Sequence, residues 1–481
     1  MTQCSRKTHP SGSQFLSVRS VVLLWVAAFL SLSAAQAHGE FALKDGDVVA
    51  FYGDSITVPP SYGTMVENYV VTRFPALHVA FINAGVGGEH VGGGAEGSVD
   101  QRLARDVVAR KATVVRVSMK RLSGSVLVAL LIAGPVFSQD VKPDAVLAMM
   151  KKVGDWQLAN PSKHPTTDWT QAAGYAGFMA LAEIADTPKY DEAMVAMGKA
   201  NQWKPGSRVF HADDQCVGQT YVELFLKHKD PQMIAPLRQR FDTIMANPKD
   251  DHLEFNRKGA DERWSWCDAL FMAPPAWARL AKATGEPKYL DFANRLWWVT
   301  SDYLYDKEDH LYFRDSSFFR KREANGQKVF WSRGNGWVMG GLVRLMQYMP
   351  ADYPDRAKYV QQFKEMADRV LSCQQPDGLW RASLLDPASY PLKETSGSGF
   401  YCYALAWGVN NGLLDRAKFG PAARKSWAAL VGCVEANGKL THVQPIGSDP
   451  KHFGAESTEV YGAGAFLLAG SEMYKLSQAA K

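Results

Sequence analysis

From Lys142 to the C-terminus, apolar residues recur at the 3.6-residue period of a helix, and no other feature of this 481-residue chain limits its fold so tightly. The period predicts about twelve helices, over 142–153, 168–186, 188–202, 214–229, 231–247, 264–285, 287–304, 332–349, 354–375, 397–413, 418–436 and 458–478. Strand signals are few and short. Several helices open alike: Thr187-Pro188-Lys189-Tyr190, Glu286-Pro287-Lys288-Tyr289, Arg356-Ala357-Lys358-Tyr359 and Arg416-Ala417-Lys418-Phe419. Proline at the first helical position pre-sets the backbone and wastes no donor. A recurring helical hairpin points to six pairs closing into a ring. An open solenoid of helical pairs that binds protein is the competing architecture. Residues 248–263, 305–331 and 376–396 are long loops rich in aromatic and charged side chains. Such loops usually carry function, which favours a closed, all-α barrel with a loop-rimmed pocket.

The chain before residue 139 is unlike the rest. Trp25 is its sole tryptophan, although the chain holds 14. Residues 1–37 read as a secretory signal: Arg6, Lys7 and Arg19, then an apolar run from Val21 to Leu32, then Ala35-Gln36-Ala37. Residues 116–138 contain a second such layout, with Met119, Lys120 and Arg121, an apolar run from Val126 to Val136, and Val136-Phe137-Ser138. Both runs are short for a membrane span, so no stable span is expected after processing. An internal signal suggests a truncated upstream frame fused to an exported protein that starts at Met119. The destination would be the periplasm or the medium.

Between the signals, residues 38–115 form a separate fragment. Val48-Val49-Ala50-Phe51-Tyr52 leads into Gly53-Asp54-Ser55, a strand that sets a serine on a tight turn. Phe81-Ile82-Asn83-Ala84-Gly85-Val86-Gly87-Gly88 follows as strand and glycine turn. Residues 40–115 resemble the opening, α/β part of the SGNH (GDSL) esterases, truncated before that family's later blocks. Ser55 without a histidine base is a weak nucleophile.

A formal net charge of +5 with no basic stripe excludes nucleic acid as a partner. Six cysteines without CxxC or a Cys/His cluster give no zinc site and no disulfide framework, so buried thiols are expected.

Five stretches of residues 139–481 carry chemistry. In Arg263-Trp264-Ser265-Trp266-Cys267-Asp268, a helix would put Trp264 and Asp268 on one face. Indoles around a carboxyl desolvate it and raise its pKa toward a general acid. An Asp opening a helix is equally a cap. In Trp331-Ser332-Arg333-Gly334-Asn335-Gly336-Trp337, Arg333 is a planar fork suited to a carboxylate, and Trp331 and Trp337 are platforms for sugar faces. A glycine-rich helix start with core tryptophans is the alternative. In His211-Ala212-Asp213-Asp214, one carboxylate is expected to cap and the other to stay free. Arg314-Asp315 forms a polar turn beside Leu311-Tyr312-Phe313, and Lys393-Glu394-Thr395-Ser396-Gly397-Ser398-Gly399 reads as a flexible stretch opening a helix.

Together with Tyr461-Gly462-Ala463-Gly464-Ala465-Phe466, these stretches resemble glycoside hydrolase family 105, the unsaturated rhamnogalacturonyl hydrolases, with family 88 as a relative. The resemblance spans about 340 residues from Lys142. It implies an (α/α)6 barrel with no metal and no cofactor. It implies Asp268 as the acid/base and Asp213 as the second active-site carboxylate, with Trp264, Trp266, Trp331, Trp337, Arg333, Arg314 and Asp214 near the substrate. Many members have His where this chain has Arg314. The implied reaction removes a terminal 4,5-unsaturated uronic acid from a pectin oligosaccharide by hydrating the vinyl ether. A two-carboxylate glycosidase acting on saturated sugars and a non-catalytic helical scaffold are the competing functions.

Overall fold

The computed structural model describes residues 142–478 without a break and, before them, residues 43, 45–53, 61–86, 102–110, 112, 114–120 and 126–131. The chain divides into two compact units, Met1–Phe137 and Ser138–Lys481.

In the first unit, β1 (Val48–Gly53), β2 (Ala80–Gly85), β3 (Val114–Lys120) and β4 (Val126–Leu131) form one sheet in the order β2-β1-β3-β4. β1 pairs parallel with β2 and β3, whereas β4 runs antiparallel to β3. Parallel neighbours need a crossover, and α1 (Ser61–Arg73) lies between β1 and β2 in the chain. The apolar run of β1 is buried from Val49 to Tyr52, as a strand covered on both faces requires. The stretch read from sequence as a second export signal supplies the end of β3 and all of β4. Residues 1–37 and the Asp54-Ser55 turn lie outside the described residues.

The second unit is helical. Its elements are α2 (Pro143–Ala159), α3 (Trp169–Ile184), α4 (Lys189–Ala200), α5 (Gly218–His228), α6 (Ala235–Ala246), α7 (Ala269–Met272), α8 (Pro274–Thr284), α9 (Lys288–Leu304), α10 (Ser332–Met346), α11 (Arg356–Ser372), α12 (Thr395–Asn410), α13 (Arg416–Val431) and α14 (Val460–Gln478). All twelve expected segments are helical. One needs correction: 264–285 is not a single helix. Residues 263–268 lead in as extended chain and turn, and the helix then breaks at Ala273, where Pro274 and Pro275 withhold two backbone donors.

Helices α3, α5, α7 with α8, α10, α12 and α14 pack in succession, and α14 returns to α3. They form the inner ring of an (α/α)6 barrel, with the remaining helices outside. Every residue of α10 is buried, and in α12 every residue from Thr395 to Val409. A helix covered all round needs no apolar stripe. Two contacts are close enough to demand glycine: a Cβ on Gly464 would lie 2.2 Å from the Ala173 carbonyl oxygen, and one on Gly341 2.4 Å from that of Leu270. Outer helices are amphipathic. α11 buries Tyr359, Gln362, Phe363, Met366, Ala367 and Val370, one face at helical spacing.

The recurring Lys-aromatic opening has a physical purpose. Tyr190, Tyr289, Tyr359 and Phe419 are buried. Three of their hydroxyls donate back to the preceding outer helix: Tyr190 to Asp155 (2.7 Å), Tyr289 to Asp242 (2.9 Å) and Tyr359 to Asn294 (3.0 Å). Lys189 and Lys288 pair with those same aspartates, and Lys418 pairs with Asp368. Each opening therefore clasps one outer helix to the one before it. Among the described residues no helix is long and apolar enough to cross a membrane.

Candidate active site

The openings of the inner helices gather at one end of the barrel. Trp169 from α3 stacks on Tyr461 from α14 (5.3 Å), and both meet Trp337 from α10 edge-on or tilted, at 6.0 and 6.1 Å. Helix N-termini carry unpaired N–H groups and partial positive charge, so carboxylates are favoured there. Two of the acidic residues at this end are caps. Asp168 accepts the Thr170 N–H, and Glu394, fully buried, accepts those of Ser396 (2.8 Å) and Gly397 (2.7 Å). Residues 393–399 are thus tied down rather than flexible.

Asp268 occupies the N-cap position of α7, yet its side chain makes no capping bond. The cap alternative therefore fails, and the side-chain donor that meets the carboxyl is the Cys267 thiol, 3.5 Å from Oδ2. Asp268 is buried, with 8% of the residue exposed. Trp264 does not share a helical face with it, because α7 begins only at Ala269. The lead-in is instead held by the long loop after α9. Trp266 bridges to Asp315, and the Cys267 N–H donates to the Arg314 carbonyl at 2.8 Å. That pairing brings the Arg314 Nε to 3.7 Å from Asp268 Oδ2. Arg314 also lies over the Phe255 ring (4.5 Å) and donates from Nη1 to Asp315 (2.7 Å). Burial pushes the Asp268 carboxyl above the usual range, while the charges of Arg314 and Arg333 oppose that rise.

Asp213 and Asp214 separate as the sequence suggested, although neither caps α5. Asp214 is consumed by Arg208, whose N–H donates at 2.7 Å and whose Nε and Nη2 donate at 3.0 and 2.5 Å. It therefore holds the 206–208 loop and leaves no carboxyl oxygen without an Arg208 partner, contrary to the expectation that it contacts substrate. Asp213 is free of such bonds. Burial pushes its carboxyl up to about 7, and the charge of Asp268 adds to the rise. His211 lies 3.7 Å from Asp213 through Nδ1, and its ring packs 5.0 Å from that of Trp266. Burial lowers the His211 pKa to about 4, so it is neutral near pH 7.

The Arg333 block is also corrected. Arg333 is fully buried, and its Nη1 and Nη2 donate to the carbonyls of Gln444 (2.6 Å) and Pro445 (2.9 Å). It is a fixed charge beneath the site rather than an open fork. Trp331 donates its Nε1 to Gln444 (2.8 Å), and Trp337 is wholly buried against Phe271 and Phe400. Both tryptophans serve as packing, not as exposed sugar platforms. Trp264 and Trp266 are each 4% exposed.

Gln444 and Asn335 were missed as organising residues. Asn335 accepts the Tyr312 N–H (2.8 Å) and donates to the carbonyls of Tyr312 and Trp331, which fastens the Arg314 loop to α10. An Asn in the first turn of a helix, where its amide can bond to nearby backbone, was the available signal for Asn335.

One cavity, of about 520 Å³, lies away from this end, near the C-terminal ends of the inner helices, and is lined by Glu223, Arg344, Tyr403, Glu472 and Lys475. Its Glu223 is bonded to Arg279 and Arg344, and its Glu472 to Lys475. The neighbouring carboxylates of Asp306, Glu308 and Asp309 all pair with Lys328.

Comparison with known proteins agrees with this geometry. An unsaturated 3S-rhamnoglycuronyl hydrolase from Formosa agariphila is 43% identical over 344 residues, covering 69% of this chain and 91% of that protein. A solved glycosyl hydrolase family 88 protein from Bacteroides vulgatus superposes with a TM-score of 0.64 at 29% identity, covering 69% of this chain and 99% of its own. Another solved structure, described as a polysaccharide lyase, gives a TM-score of 0.64 at 32% identity, covering 70% of this chain and 98% of its own. Residues 144–477 match the profile of Glycosyl Hydrolase Family 88, so the helical domain is a glycoside hydrolase and the chain belongs to that family.

Proposed function

We propose that the helical domain removes a terminal 4,5-unsaturated uronic acid from lyase-generated oligosaccharides, with Asp268 as acid and then base. The observation that carries this reading is the buried Asp268 carboxyl, free of any capping bond, with the partly buried Asp213 coupled to it by charge and both carboxyls raised by desolvation. Such a pair retains a proton near neutral pH, which is what a carboxyl needs in order to act as a general acid. Asp268 donates that proton to C4 of the alkene. The resulting carboxylate takes a proton from water as the oxygen of that water bonds to C5. The C5 hemiketal opens, and the hemiacetal left at C1 expels the neighbouring sugar. Neither step requires attack at the anomeric carbon.

The sequence motifs favour a pectin fragment. The name of the Formosa relative favours a uronic acid joined to rhamnose. Both are tested by one assay, the absorbance of the conjugated double bond with lyase-digested rhamnogalacturonan and with an unsaturated rhamnose–uronic acid oligosaccharide. Loss of the band on either substrate is expected. The neighbour described as a lyase supports a second reading, elimination. In that case the band grows on intact polysaccharide and persists on the digested one.

Export to the periplasm or the medium, and the SGNH-like character of residues 40–115, rest on sequence patterns. N-terminal sequencing of the native protein checks the export and fusion reading. A mature start near Gln139 supports export from Met119, and a start near His38 with residues 38–138 intact overturns the fusion reading.

A further inference from the structure

Arg314 is held on three sides yet keeps a donor open. Its carbonyl accepts from Cys267, its Nη1 bonds the buried Asp315, and its guanidinium covers Phe255. Its Nε–H is buried and has no hydrogen-bond partner, because Asp268 Oδ2 at 3.7 Å is beyond bonding distance. A buried donor without an acceptor is costly, and an acceptor that arrives with the substrate removes the cost.

We propose that Arg314 receives the uronate carboxylate of the substrate and, in doing so, loosens its hold on Asp268, so that Asp268 keeps the proton it donates. This rests on the hydration reading above. The charged and titratable groups that face Asp268 are Arg314, Arg333 and the Cys267 thiol, with Asp213 coupled to it. Around Asp213 stand Asp268, Arg208, Asp214, Arg314 and His211. Of the two arginines nearest Asp268, Arg333 has both Nη atoms committed to backbone carbonyls. The Nε–H of each arginine is buried without a partner, but among the described residues only Arg314 comes within 4 Å of the Asp268 carboxyl. In the free enzyme its charge favours an ionised Asp268. A carboxylate docked on the guanidinium cancels that charge, and Asp268 then binds a proton from solvent, which it passes to C4. A planar guanidinium suits this exchange because it offers paired donors to a carboxylate.

The test compares wild type, Arg314→Lys and Arg314→Gln on a lyase-generated unsaturated disaccharide. It measures KM, kcat and the pH profile of kcat/KM, with melting curves for each protein. Arg314→Gln is expected to raise KM about 10-fold or more, since one partner of a buried charge pair is lost. It should also move the basic limb of the profile to higher pH, because the carboxyl pair has lost a cation. Arg314→Lys keeps the charge, so its limb stays near that of wild type while KM rises several-fold for want of the fork. KM within about twofold of wild type and an unmoved limb in Arg314→Gln overturn the inference. If that variant does not fold, an unchanged KM in Arg314→Lys overturns it instead. An inactive wild type removes the hydration reading and this inference with it, whereas an active wild type with unaffected variants removes this inference alone.

Discussion

Asp213 and Asp214 are neighbours in sequence with opposite occupations: Asp214 accepts three hydrogen bonds from Arg208, while Asp213 keeps a raised carboxyl coupled to the charge of Asp268. Asp214→Ala is therefore expected to lower stability by about 1–2 kcal/mol, a modest figure because the Arg208 side chain is half exposed. It should lower activity only through the mobility of the 206–208 loop. Asp213→Asn is expected to do the reverse, leaving the melting temperature intact or higher while activity collapses. Thermal denaturation and a turnover assay on the two variants separate these roles.

The same pair gives stability a pH dependence. In the folded protein the Asp213 carboxyl titrates at about 7, against about 3.9 for an unfolded chain. The folded state thus binds an extra proton between those values, and stability contributed by this group falls as pH rises from about 4 to about 7. Replacing Asp213 by Asn removes that slope. The stability advantage of Asp213→Asn over wild type should widen across the window, by on the order of 2–4 kcal/mol. Parallel denaturant titrations at pH 4.5 and 7.5 measure it. An advantage that stays constant would mean that Asp213 is ionised in both states.

How much of this could be read from the sequence depends on which contacts are local. The helices were legible because their periodicity is local. The roles of Arg333, Trp331 and Trp337 were not. They are set by Gln444 and Pro445, more than a hundred residues away, and a fork bonded to those carbonyls looks the same in sequence as one open to a ligand. The break before α8 was available in Pro274-Pro275 and was overridden by a strong apolar run. Arg314 stood out as a departure from its relatives, but only the bridge between Trp266 and Asp315 shows that it faces Asp268.

Asp268→Asn isolates the chemical role of the central carboxyl. The amide keeps shape and polarity, and Arg314 retains its bond to Asp315, so stability should change by less than about 1 kcal/mol. Activity should fall by about 10²–10⁴-fold or more, the usual worth of a positioned general acid. Retention of most activity on an unsaturated disaccharide would falsify the assignment.

The distance between α10 and α7 sets where Asp268 stands, and Gly341 sets that distance. Alanine in a helix interior gains about 1 kcal/mol over glycine in propensity. Against that gain, a Cβ on Gly341 would stand 2.4 Å from the Leu270 carbonyl oxygen and 2.9 Å from its carbon, both backbone atoms that no rotamer can move aside. Overpacking of this kind costs about 1–3 kcal/mol or more, so Gly341→Ala should destabilise despite its propensity. Leu270 lies two residues after Asp268, and the four-residue α7 has little length over which to absorb a shift. Relief of the clash should therefore displace the carboxyl relative to Arg314 and lower kcat more than the loss of stability alone would. Assays at a temperature well below the melting point of the variant separate the two effects, and a kcat equal to that of wild type would show that α7 moves without moving Asp268.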